Sequence, residues 1–431
     1  MPASGREFDV VVVGAGAAGI AAAKRLALAR LEVVVVEARG RLGGRAVTTR
    51  PLPGLALDLG CEWLHSADRN PWTGIAGQLG FALDRKLPDW GSRVAWRQGE
   101  AAEAEWRKAR DEFYARLDRA SGEPGDRAAV ELLEPGNKWN PLLRAISTWA
   151  NGAELEQVSV KDYGRYDPSD VNWRALEGYG ALIARFGEDL PVSLNTIVTR
   201  IDHGGIQVRI ETNRGDLLAR AAIVTLPTNV LASGAVGFIP ALPGKLAAAA
   251  GLPMHVVNKF FLRLDGDFDA VAPDSNLVGD TGGSRTGAYQ IRPHGWPVIL
   301  GYYGGDFAAE LEERGLDATA DFAIGELAGL FGNDIRKQLS PLAGSAWGGD
   351  PYARGAYSMA LPGHADDRAV LASPVDGRLF FAGEACSASD FGTAHAAYRT
   401  GEEAASQIVA ALQSSRTPAA PRAGPGIPDG I

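Results

Sequence analysis

Three glycines at fixed spacing, Gly14-x-Gly16-x-x-Gly19, stand between an apolar run and an Ala/Leu-rich stretch. Glycine at such positions permits a tight strand-to-helix turn and lets a pyrophosphate approach the N–H groups at the helix N-terminus. Glu37 closes the next apolar run, 18 residues after Gly19, where a carboxylate can accept hydrogen bonds from ribose hydroxyls. The segment that follows, Glu37-Ala38-Arg39-Gly40-Arg41-Leu42-Gly43-Gly44-Arg45, adds adjacent glycines and an arginine able to meet a diphosphate with bidentate geometry. A glycine triplet alone signals only a turn, but with an acidic residue at this distance it reads as a dinucleotide cradle. Two further residues invite chemistry. Lys259 places a charge inside the apolar run VVNKFFLRL, and His65 in WLHS titrates near neutrality, where it can bind or deprotonate a base. The six histidines are scattered without HExxH or a Cys/His cluster, and no GxSxG occurs, so neither a metal nor a serine nucleophile is expected.

The elements that must position these residues follow from periodicity. Phe8 to Val13 reads as a buried parallel strand, Ala17 to Arg30 as a helix and Glu32 to Glu37 as a second buried strand, a βαβ unit of ordinary length. Residues from about 70 to 175 read as an inserted helical region with a charged helix near Glu103 to Arg119. Strand signals return after a helix from Gly178 to Leu190: Ile197 to Ile201, Gln207 to Thr212 and Ala221 to Leu226. A second mixed region predicts antiparallel strands at Val256 to Leu264 and Val298 to Tyr303 and a helix near Thr319 to Leu330. A last strand, Arg378 to Ala382, leads through Gly383 and Glu384 to a helix from about Thr393 to Leu412.

A chain of 431 residues predicts more than one domain. The net charge of −9 offers no basic footprint, so nucleic acid is not an expected partner. Cys61 and Cys386 form no CxxC pair, which fits a reducing compartment. No secretory signal or membrane-spanning run is read, and a cytoplasmic protein, monomer or homodimer, is expected. The Pro/Gly/Ala-rich segment 413–431 reads as a flexible tail.

With residues 41–45 (RLGGR) included, the sequence resembles the FAD-dependent amine oxidases, a family that spans monoamine oxidases, polyamine oxidases, histone-lysine demethylases and L-amino-acid oxidases. DLGCEWLHS from Asp58, the block from Val198 to Pro227 and LFFAGEACSASDFGTAHAAYRTGEEAA from Leu379 fall in the family's order, so the resemblance covers most of the chain. It implies an α/β and α+β fold: a Rossmann-like FAD-binding domain of discontinuous segments (6–66, 178–236 and 368–412) and a mixed-sheet plus helical substrate domain (67–177 and 237–367).

By that resemblance the FAD contacts would be Gly14, Gly16, Ala18, Gly19, Glu37, Ala38, Arg39, Gly43, Gly44, Arg45, Glu62, Trp63, Val198, Trp347, Gly383, Glu384, Thr393 and Ala394. Val198 would use its backbone on the adenine side, and the C-terminal helix would aim its positive end at the flavin pyrimidine. Lys259 would reach the flavin N5 through water, the alternative being an edge-strand lysine in solvent. Ala356 stands where monoamine oxidases carry the flavin-linking cysteine, which implies noncovalent FAD. Tyr357 matches one wall of the aromatic slot and Thr393 the other, so the slot is incomplete, as in polyamine oxidases. His65 matches a substrate-side His or Glu of those enzymes.

The expected activity is oxidation of an amine to an imine, with oxygen reduced to hydrogen peroxide and small-molecule amine and O2 as partners. A di- or polyamine, or another non-aromatic amine, is expected, the distal ammonium of a diamine being received by His65 and Glu62. An L-amino-acid oxidase, a carotenoid or protoporphyrinogen oxidase, a histone-type demethylase and a noncatalytic flavoprotein remain as alternatives.

Overall fold

The computed structural model describes residues 7–90 and 96–414; the predicted tail beyond 414 lies outside them. Strand Glu7–Val13 is hydrogen-bonded in parallel to Val33–Val36 on one side and to Gly215–Val224 on the other. Val10 to Val13 and Val33 to Val36 are buried on both faces. Val10, Val12, Val33 and Val35 pack under the helices Ala17–Leu28, with Ala22 and Leu26 inward, and Ala394–Ser414, with Ala405 and Ile408 inward. Val11, Val13, Val34 and Val36 face a second core with Ile201, Ile210, Leu231 and Leu371. Each such valine contributes about 1.5–3 kcal/mol relative to exposure. The long strand Gly215–Val224 serves two sheets' worth of neighbours. Its first half pairs antiparallel with Val208–Thr212, and its second half runs parallel to Leu379–Phe381. The full order is Gly237–Ile239, Val198–Asp202, Val208–Thr212, Gly215–Val224, Glu7–Val13, Val33–Val36, Val192–Ser193.

The strand Gly237–Ile239 therefore belongs to the first sheet, parallel to Val198–Asp202, although the sequence-based boundary placed everything from 237 with the second domain. Ala248 and Ala249 of the following helix, Pro243–Gly251, and Leu252 just after it also pack into that first core, which therefore reaches at least to residue 252. A short apolar triplet with no turn chemistry of its own does not reveal which sheet it will join.

The second sheet is antiparallel throughout, in the order Ser275–Val278, Ala288–Ile291, Val298–Gly304, Val257–Leu264, Leu339–Gly344. Alternation along Val257–Leu264 decides where Lys259 points. Phe260, Leu262 and Leu264 face a core shared with the helices Gly305–Arg314 and Leu316–Phe331. Phe261 faces the opposite way, against Leu55, Leu57, Val298 and Leu300. Lys259, two residues from Phe261, shares that face, which is the one turned toward the first domain. The helices Glu100–Ser121 and Asn140–Ala150 build a separate cluster around Trp106, Phe113, Leu117, Trp139 and Leu142.

Candidate functional site

The glycine cradle forms where the strand Glu7–Val13 meets its helix. Gly14 has φ +104°, and a Cβ at Gly19 would stand 1.9 Å from the Gly14 carbonyl oxygen, so both positions are glycine for internal reasons. Gly16 is different. Its backbone (φ −80°, ψ −174°) suits any residue, and a Cβ there would approach nothing closer than Gly44 Cα at 3.9 Å and Gly43 O at 4.0 Å. Space that the protein itself leaves open at a glycine, beside the first-turn N–H groups of Ala17 and Ala18, is what a pyrophosphate requires. The two glycine loops are joined: the Gly43 N–H donates to the Ala15 carbonyl at 2.9 Å, and Gly44 has φ +59°.

Glu37 is buried at the end of Val33–Val36, with one carboxylate oxygen accepting the Ala15 N–H at 2.8 Å and the other the Arg39 N–H at 2.9 Å. The Arg39 guanidinium turns to Asp350 at 2.6 Å and lies over the Tyr352 ring. Ala38 continues the loop and is partly exposed. Val198 pairs with Thr212, while its parallel neighbour starts only opposite Arg200, so one edge of Val198 extends past the ladder.

At the carboxyl ends of Gly215–Val224 and Leu379–Phe381, a small pocket is lined by Arg45, Thr225, Thr228, Gly383 and Glu384. Glu384 is buried and fully engaged: it accepts from Arg45 at 3.0 Å, from the Ser358 hydroxyl at 2.7 Å and from the Gly392 N–H at 2.9 Å. Burial pushes its carboxyl up, but Arg45, Ser358 and Arg368 outweigh burial and hold it below the ordinary range. Arg368, itself buried, is clamped by both oxygens of Asp162 at 2.7 Å.

Thr393 does something the slot reading did not anticipate. Its hydroxyl donates to the Asp390 carbonyl at 2.6 Å and accepts the Ala396 N–H at 3.1 Å, so it caps the C-terminal helix. The hydroxyl thus has a structural task of its own beside the slot position that the resemblance gives this residue. Ala394 opens that helix and gives its carbonyl to Trp72 Nε1 at 3.2 Å.

Lys259 is buried and donates to Glu62 Oε2 at 2.7 Å. Burial alone would lower the lysine, yet Glu62 outweighs it and the ammonium is held above its ordinary value. Burial would likewise raise Glu62, but Lys259, Arg174 and His294 hold it below. The Glu62 carboxylate is therefore already paired within the protein, with Lys259 on one oxygen and Arg174 near the other. Opposite Lys259 across the ladder stands Tyr302, whose hydroxyl lies 3.4 Å from that of Tyr357. Tyr357 donates to the Trp149 carbonyl at 2.5 Å, and both tyrosines are partly accessible.

His65 Nδ1 lies 2.8 Å from Asn172 Oδ1, while the Asn172 amide nitrogen donates to the Asp170 carbonyl. That amide orientation makes Nδ1 the protonated nitrogen and leaves Nε2 a lone pair. Burial holds His65 below the ordinary imidazole value, against the opposing pull of Asn172 and Glu62, which favours the neutral ring. Trp63 has Trp90 edge-on at 4.9 Å and the Arg174 guanidinium over its ring at 4.7 Å. Trp347 is buried, donating its indole N–H to the Leu59 carbonyl at 3.0 Å.

Residues that sequence reasoning passed over complete the arrangement. Arg174 Nη2 is held by Asp84 at 2.9 Å and Asp274 at 3.0 Å, while its Nε and Nη1 lack hydrogen-bond partners. Asp58, pushed up to about 6 by burial, accepts from Thr48 and from the N–H groups of Tyr179 and Gly180. Tyr302 could have been found from Gly-Tyr-Tyr-Gly in an apolar strand. Arg174 and Asn172 carry no sequence signal beyond a polar residue beside a tryptophan. Among the described residues no group of His, Cys, Asp and Glu is arranged to hold a metal, and no helix is long and apolar enough to cross a membrane.

The profile of the family described as "Flavin containing amine oxidoreductase" matches residues 17–162 and 150–409. Polyamine oxidase 4 of Oryza sativa subsp. japonica is 30% identical over 93% of this chain and 88% of its own length. The lysine-specific histone demethylase 1 homolog 3 of Oryza sativa subsp. indica is 29% identical over 94% of this chain but only 54% of its own length. A solved wild-type putrescine oxidase bound to putrescine shares the fold, with a TM-score of 0.77 at 18% identity over 94% of this chain and 99% of that one. With its glycine cradle, its acidic strand end and a family match running from the first helix to the last, the chain belongs to the flavin-containing amine oxidases.

Proposed function

We propose that this flavoenzyme binds FAD noncovalently and oxidises a di- or polyamine, with oxygen as acceptor and hydrogen peroxide as product. The cofactor, when bound, supplies the two-electron acceptor for the amine C–H and returns the electrons to oxygen. Gly16, the first turn of Ala17–Leu28 and Arg45 would hold its diphosphate, and Glu37 its ribose. Attachment without a covalent bond is supported by Ala356, which offers no thiol. It is supported also by Cys61 and Cys386, which are free and whose thiols burial pushes up to about 12, far from the reactive thiolate range.

The observation that carries the substrate reading is His65. A neutral imidazole with a free Nε2 lone pair, partly accessible beside Trp63 and Trp90, accepts a proton or hydrogen bond from an ammonium at neutral pH. Tyr302 and Tyr357 give the amine an aromatic wall. An amino-acid substrate is less well served, because the buried Arg174 is surrounded by Asp84, Asp274 and Glu62, whose charges repel a substrate carboxylate, and the buried Arg368 is clamped by Asp162. Relatives named polyamine oxidase and a fold neighbour holding putrescine support the same class.

Oxidation of the amine to an iminium, then hydrolysis, gives an aldehyde or ketone and a smaller amine. Peroxide assays across spermidine, spermine, putrescine, cyclohexylamine, benzylamine and L-amino acids test this. Higher kcat/KM for the di- and polyamines is expected, and higher values for the aromatic monoamines overturn it.

A further inference from the structure

Glu62 and Lys259 lie 197 residues apart in sequence yet meet at 2.7 Å, their side chains only 14% and 8% exposed. Glu62 is fixed from its other side as well, with Oε1 4.0 Å from Arg174 Nη1, and that guanidinium is anchored by Asp84 and Asp274. One carboxylate oxygen thus faces each cation. We propose that Glu62 is a positioning residue for the redox centre: it keeps Lys259 an aimed, charge-balanced ammonium beside the flavin and does not touch the amine. This rests on the reading that Lys259 faces the flavin.

The surroundings explain why Lys259 depends on this one partner. Glu62 contacts it, Tyr302 stands opposite it across the ladder, and Asp58, His65 and Cys61 couple to it electrostatically, with Arg45 and Arg174 within electrostatic reach of the same cluster. Asp58, the other carboxylate, already accepts the Thr48 hydroxyl at 2.5 Å and the N–H groups of Tyr179 and Gly180 at 2.7 and 3.0 Å, so it is not free to swing across. Removing the Glu62 charge leaves an enclosed ammonium near an arginine, and burial then favours the neutral amine. Below the pH at which that proton leaves, the unbalanced positive charge favours the anionic reduced flavin. Above it, the charge is gone.

The test measures the flavin midpoint potential of the holoenzyme by spectroelectrochemistry across pH, for wild type, Glu62→Gln, Lys259→Met and the double variant. Glu62→Gln is expected to sit above wild type at low pH and fall back through a titration step displaced to lower pH, and the double variant to show no step. Stopped-flow reoxidation should lose its alkaline limb at lower pH in Glu62→Gln, about tenfold in rate at fixed pH for each unit of displacement, with KM for putrescine unchanged. Glu62→Asp, which keeps the charge, should restore most of the wild-type profile and serves if Glu62→Gln does not fold. Wild-type potential and pH dependence in Glu62→Gln, beside a shifted Lys259→Met, would overturn the proposal, as would a KM rise confined to diamines. If Lys259→Met itself leaves the potential and its pH dependence unchanged, the lysine does not face the flavin and the underlying reading fails instead.

Discussion

Replacing Gly16 by alanine separates a glycine kept for a ligand from one kept for the fold. The Gly16 backbone is extended, so alanine brings no strain, and its methyl would meet Gly44 Cα at 3.9 Å and Gly43 O at 4.0 Å, ordinary van der Waals contact. The apoprotein should therefore unfold within about 0.5 kcal/mol of wild type. The methyl occupies the space assigned to the pyrophosphate, and an extra carbon in a filled site costs about 1–3 kcal/mol, a rise in the FAD Kd of about 5- to 140-fold. Gly19→Ala is the control: its Cβ would stand 1.9 Å from the Gly14 carbonyl oxygen, so the turn must move and the apoprotein itself should lose about 1–3 kcal/mol or more. Denaturant unfolding of both apoproteins and fluorescence titration with FAD read the two effects independently. Wild-type FAD affinity in Gly16→Ala, or a stability loss matching Gly19→Ala, would refute the assignment of that open space to the cofactor.

Glu37→Ala removes the acceptor of two N–H groups and the proposed ribose ligand together. The apoprotein should lose about 1–3 kcal/mol and FAD affinity should fall, whereas unchanged affinity takes Glu37 out of the site. Acid precipitation should release the flavin into the supernatant, and colour retained in the washed pellet would show a covalent bond. Because burial lowers His65, its protonation should cut kcat/KM for a diamine only at acid pH, and His65→Ala should abolish that limb and weaken diamine use roughly fivefold, the worth of about 1 kcal/mol of hydrogen bonding. An unaltered acid limb would assign it to another group. Lys259→Met should slow flavin reoxidation in stopped-flow more than it slows reduction by the amine, and a wild-type reoxidation rate would exclude that role.

The cradle was legible because its information is local. Glycine spacing, an apolar run and an acidic strand end specify a βαβ turn within some thirty residues, and the strand Glu7–Val13, the helix Ala17–Leu28 and the strand Val33–Val36 lie where periodicity put them. The substrate side was less legible because its partners are distant in sequence. Lys259 stands out as a charge in an apolar strand, but nothing in DLGCEWLHS reveals that Glu62 will pair with it. Thr393 was read for the ring it lacks, whereas its hydroxyl caps a helix, a role that Thr three residues before Ala396 does signal. Short elements failed for a different reason: Ser275–Val278, Ala288–Ile291 and Gly237–Ile239 contain too few residues to establish a period.

Anaerobic mixing of the purified holoenzyme with single amines, followed through loss of the oxidised flavin absorbance, tests the account most directly because it needs neither oxygen nor a coupled assay. Putrescine, spermidine or spermine should bleach the flavin faster than benzylamine, phenylethylamine or any L-amino acid, at equal concentration and neutral pH. Faster bleaching by an aromatic monoamine or an amino acid would contradict the substrate class, and a flavin that no amine bleaches would contradict catalysis itself.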